Sequence, residues 1–108
     1  MSRHIIPGKN DNHQVVVGWD APMGTFFGQV FDKNAHDEDD DLVFGVGQQF
    51  NEMPEIGPLL EAMAPHADIS PMVIRVLENN KAAEGDKSAQ GKARYATVMA
   101  MLRAAKEG

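Results

Sequence analysis

The residues predict an α+β fold: an antiparallel sheet of three to four strands, followed by two or three helices packed on one face of it. Three observations carry this. The segments rich in β-branched and aromatic residues lie before residue 48, where connections are too short for parallel crossovers. The later residues carry helix punctuation instead, with Ser-Pro at 70–71 and Gly at 85. The 108 residues are 43% hydrophobic, which suits a single domain over 1–108 with its own core.

The elements follow in order. "HIIP" at 4–7 is short and ends in Pro-Gly, as an edge strand does. "KNDN" at 9–12 is a turn, and "HQVVVGW" at 13–19 is β-branched throughout its centre. "APMG" at 21–24 fits a type I turn, with Pro22 second and Gly24 fourth. "TFFGQVF" at 25–31 is the next strand, "DKNAHDEDDD" at 32–41 a polar loop, and "LVFGVG" at 42–47 a further strand. "EIGPLLEAMA" at 55–64 is a short helix stopped by Pro65. A second helix has Ser70 as N-cap, Pro71 as first residue and Gly85 as C-cap. A third runs from about 87 to 106, where Tyr95, Val98, Met99, Leu102 and Ala105 form a stripe expected to face the core.

The turn at 21–24 sets the faces of the sheet. It places Trp19 opposite Phe26, Val17 opposite Gly28 and Val15 opposite Val30, an all-apolar side expected to meet the helices. Val16 opposite Gln29, Gly18 opposite Phe27 and Gln14 opposite Phe31 fall on the other side. A slip of one residue would exchange the two faces. Phe27, Phe31, Val16 and Gln29 are therefore the candidate interaction surface, suited to a homodimer or another protein.

Several chemistries are tested and fail. Asp37, Asp39 and Asp41 resemble the start of a calcium loop and are weak metal candidates. The sixth and twelfth positions, which should be Gly and Glu, hold Leu42 and Gln48. His4 and His13 are the histidines that neighbouring strands can bring together as a zinc pair, and none of the four sits in a ligand motif. "GVGQQF" at 45–50 opens like a dinucleotide fingerprint but lacks its third glycine. Ser2, Ser70 and Ser88 lie in no nucleophile elbow. With no cysteine, thiol nucleophiles, disulfides and iron–sulfur clusters are excluded. No cofactor and no catalytic residue is implied.

Net charge is −6, unevenly spread: three basic against 12 acidic residues in 1–69, and seven against four in 70–108. The acidic front half is a poor surface for phosphates, which argues against nucleic acid. The asymmetry can steer two copies together. No segment has the apolar length of a signal peptide or a membrane span, so a cytoplasmic chain without membrane contact is expected.

The stretch "VGWDAPMGTFF" at 17–27 resembles one of the form V-G-W-D-x-P-x-x-T-F-F in small bacterial proteins, some plasmid-associated. The resemblance covers about a tenth of the chain. It implies a compact bacterial domain and carries over no catalytic residue.

Three functions are therefore weighed. The first is a non-enzymatic protein-interaction module that self-associates through the exposed sheet face. The second is a small-molecule or metal-binding protein, or an enzyme, using a cleft near Trp19 and Asp20, although Asp20 also suits a hydrogen bond within the turn. The third is a plasmid-related regulator contacting nucleic acid through Lys87, Lys92, Arg94 and Arg103 of the last helix.

Overall fold

A computed structural model of the chain describes residues 2–34 and 42–107. Four strands precede three helices: β1 (His4–Pro7), β2 (His13–Asp20), β3 (Thr25–Asp32), β4 (Leu42–Val46), α1 (Ile56–Met63), α2 (Pro71–Glu84) and α3 (Ser88–Glu107). The strands form one antiparallel sheet in the order β1-β2-β3-β4. This is the α+β layout that the residues predict.

The hairpin register is the expected one. Asp20 pairs with Thr25, Trp19 with Phe26, Val17 with Gly28 and Val15 with Val30. The turn closes through the Gly24 amide on the Ala21 carbonyl at 3.1 Å, and the Asp20 carboxylate accepts from the Met23 amide at 3.2 Å. Asp20 thus fills the turn position that an aspartate suits.

The inner face carries the core. Ile6, Val15, Val17, Trp19, Phe26 and Val30 meet Leu59 and Met63 of α1 and Leu77 of α2. Leu59 and Met63 stand four apart, as do Val73 and Leu77, so each helix presents one stripe to the sheet. Met63 fills the space over Gly28, where a β-carbon would collide with its thioether. Trp19 and Phe26 meet edge to face at 4.8 Å, and the Trp19 indole N–H donates to the Gly85 carbonyl at 3.0 Å.

The caps of α2 match their sequence signals. The Ser70 hydroxyl accepts from the Val73 amide at 3.3 Å, and the Gly85 amide donates to the Lys81 carbonyl at 2.8 Å. Gly85 has φ 71° and ψ −178°, a conformation nearly confined to glycine. Replacing Gly85 by alanine is expected to lower the unfolding free energy by about 1–3 kcal/mol. Urea unfolding followed by Trp19 fluorescence checks this.

The third helix corrects one expectation. Its stripe does not face the core, because from Lys92 to Ala105 every residue is exposed. The reason is width. Four strands span roughly 19 Å at about 4.8 Å each. Two helices at 8–10 Å spacing already cover about that width. α1 packs on β3 and α2 on β2, while α3 is attached at its start to the 21–24 turn and Asn51 instead.

A second correction concerns His4 and His13. His4 pairs with Val17, so the two histidines are offset by four positions along β2, roughly 13 Å. His4 Nε2 instead lies 2.8 Å from the Asn80 side-chain oxygen on α2. The pair forms no zinc site.

Candidate functional site: the third helix and the outer sheet face

The base of α3 is anchored by its first turn. The Ser88 amide donates to the Asp86 carboxylate at 2.8 Å, and the Ser88 hydroxyl bonds the Asn51 amide group at 3.1 Å. The Lys87 amide reaches the Ala21 carbonyl at 2.8 Å. Gly91 lies so close to the Pro22 carbonyl that a β-carbon would collide with that oxygen. Phe50 and Tyr95 meet edge to face at 6.2 Å. The helix is therefore clamped to the 21–24 turn at its start.

Beyond that clamp the apolar stripe stays exposed. Tyr95 is 59% exposed, Val98 47%, Met99 39% and Leu102 55%. Ser88, Gly91, Tyr95, Val98, Leu102 and Ala105 alternate by three and four residues, the seam spacing of a helix that meets a partner lengthwise. The first two positions of this seam touch the body and Tyr95 meets Phe50; from Val98 on the seam is exposed. Lys92 and Arg103 flank the seam on one side and Arg94 on the other, by the 100° step of a helix.

Asp86 ties this base to pH. The hydrogen bonds from Ser88 hold its carboxyl below the ordinary aspartate value, with Lys92 and Lys81 adding attraction. A lowered carboxyl stabilises the folded form above the unfolded value, about 3.9, and loses that contribution as pH falls through the folded value. Unfolding followed from pH 7 to pH 2 should show Asp86→Ala removing part of the acid-dependent loss of helix content.

Among the described residues, no helix packs on the outer face of the sheet. The candidate residues named from the sequence all lie on it, but unequally. Val16 is fully buried and Phe27 nearly so, whereas Phe31 and Gln29 are half-buried. Phe27 lies across bare Gly18, and the Arg3 guanidinium carbon sits 6.0 Å from the Phe31 ring, crossing the row that holds Val16. Neighbouring side chains thus cover the middle of the face. Its open apolar part lies beside Phe31, where a β-bulge sets Leu42 opposite that ring. Ile5 is 66% exposed, Leu42 42% and Val43 49%.

The second candidate site divides. Trp19 is wholly buried in the core and lines no opening. Asp20 borders a groove of about 240 Å3 on the outer face with Arg3, Met23, Phe27, Gln29, Gly47 and Gln48. A neighbouring groove of about 480 Å3 shares Met23 and Gln48 and runs to Phe50, Lys92 and Tyr95. The two residues named together from the sequence therefore sit on opposite sides of the sheet.

The glycine-rich turn after β4 has an internal partner. The amides of Gly47, Gln48 and Gln49 donate to the Glu52 carboxylate at 2.8, 3.2 and 3.3 Å. Successive amides of this kind make an anion-binding concavity, here filled by the chain's own carboxylate. Asp37, Asp39 and Asp41 lie outside the described residues. Among the described residues no three His, Asp or Glu side chains gather as a metal site. No described helix is long and apolar enough to cross a membrane.

Lys87, Lys92, Arg94 and Arg103 are all exposed, but Lys87 precedes α3 and the other three do not share one side of it. The exposed stripe on α3 was missed from sequence because its periodicity is that of any core-facing helix. The signal beside it is the placement of bases on both flanks of the stripe, Lys92 and Arg103 on one side and Arg94 on the other. Comparison with models of known protein families, with curated proteins and with solved structures finds no match in any of the three.

Proposed function

We propose that this protein is an interaction module that self-associates, with α3 as the arm that engages the second copy. One observation carries the reading: the 20-residue α3 keeps its apolar stripe outside the body of its own chain. Most of a helix's stability in a protein comes from packing its apolar face, and the face of α3 beyond its base is exposed. A partner that covers the stripe supplies the stabilisation the helix lacks. Charge supports a second copy as that partner. α3 carries four basic residues and one acidic, while the rest of the chain sums to −9.

Light scattering on the purified chain tests this. A mass of twice 11.8 kDa is expected at micromolar concentration. Tyr95→Ser with Leu102→Ser should shift the population to monomer without unfolding the sheet, read by Trp19 fluorescence. A wild-type chain that stays monomeric up to the solubility limit overturns the reading.

A further inference from the structure

We infer that the dimer is a reciprocal exchange of arms, in which α3 of each copy lies across the outer sheet face of the other. The inference rests on the self-association just proposed and names the surface that receives the arm. Each chain has two apolar surfaces without a layer over them. One is the α3 stripe of Tyr95, Val98 and Leu102; the other is the sheet around Ile5, Phe31 and Leu42. A sheet closes its core by taking a layer on each apolar face. Among the described residues the inner face has α1 and α2, and no helix packs on the outer face. The remaining helix is held at its start, where Gly91 meets the Pro22 carbonyl, and is exposed from Lys92 to Ala105. A second copy supplies the face that this helix lacks.

Charge decides against the simplest alternative, two α3 helices side by side. Lys92 and Arg103 flank the stripe on one side and Arg94 on the other, so pairing the helices sets base against base. The body is the acidic part: the chain outside α3 sums to −9, so a basic arm is drawn to it rather than to a second basic arm. Area points the same way. A stable interface buries about 1,200–2,000 Å2 in total, and two reciprocal helix-on-sheet contacts use both exposed apolar surfaces of each chain where a helix pair uses one. The arms then obey two-fold symmetry, each contact repeated once.

The absence of cysteine makes a clean test available. Two chains are made, one with Val98→Cys and one with Leu42→Cys, and light scattering confirms that each still dimerises. The two are mixed in equal amounts and exposed to a mild oxidant. A disulfide needs α-carbons within about 7 Å, so it reports close approach only. The expected product joins residue 98 of one chain to residue 42 of the other, identified by mass spectrometry of the peptides. The dimer should also weaken at least tenfold between 50 mM and 500 mM salt. A dimer that yields only 98-to-98 links, or no link to residue 42, overturns the arm exchange and leaves self-association standing. A monomer by light scattering overturns both.

Discussion

Trp19→Ala should lower the unfolding free energy by about 3–5 kcal/mol, the range for removing a large aromatic from a packed interior. The ring is wholly buried, meets Phe26 edge to face at 4.8 Å, and lies under the Lys81 ammonium at 5.5 Å. Its N–H holds the Gly85 carbonyl at 3.0 Å, so one side chain joins the sheet to the end of α2. Domains of this size have about 5–15 kcal/mol of stability in total, so the variant should be partly unfolded at 37 °C. Trp19→Phe separates the contributions. It keeps most of the buried area but leaves the Gly85 carbonyl without its donor, and about 1–3 kcal/mol should be lost. Chemical denaturation followed by circular dichroism reads both. If Trp19→Ala were as stable as the wild type, the placement of this ring in the core would be wrong.

Gly91→Val should release α3 from the body. The neighbour that a side chain would strike is the Pro22 carbonyl, a backbone atom that cannot turn aside as a flexible side chain can. Relief requires the first turn of α3 to shift, which disturbs the Ser88–Asn51 bond and the Phe50–Tyr95 contact. An overpacked site of this kind costs about 1–3 kcal/mol. The loss should be local. Amide exchange should speed up across 88–107 while the strands keep their protection, since unfolding of a peripheral unit lies below the global transition. Equal acceleration in β2 and β3 would show instead that α3 belongs to the central cooperative unit.

The hairpin and α2 could be read from residues alone because local chemistry specifies them. Pro22 and Gly24 fix one turn, and the alternation from Val15 to Trp19 then leaves one register that buries all the large side chains together. Ser70, Pro71 and Gly85 mark the limits of α2 independently of the rest of the chain. The position of α3 is different in kind. Its stripe states that some apolar surface must receive it, but not which one. That depends on how much of the inner face α1 and α2 leave open, a sum over elements distant in sequence. Asp20 and Trp19 illustrate the same limit. They are adjacent in the chain, yet the pleat sends one to the outer groove and the other into the core. Burial of Val16 and Phe27 depends on Arg3 and Gly18 nearby, and a strand pattern read alone does not include such neighbours.

The clamp at Gly91 also makes α3 a lever. The helix is about 30 Å long and is held at one end only, so a rotation of about 10° at its base sweeps the tip through about 5 Å. Substitutions at Pro22, Phe50 or Asn51 would thus retune the reach and pitch of the arm from a distance. The four-residue corner between two strands acts as a gunsight for the far end of the molecule, and small drift in that corner would be felt as a changed fit between copies.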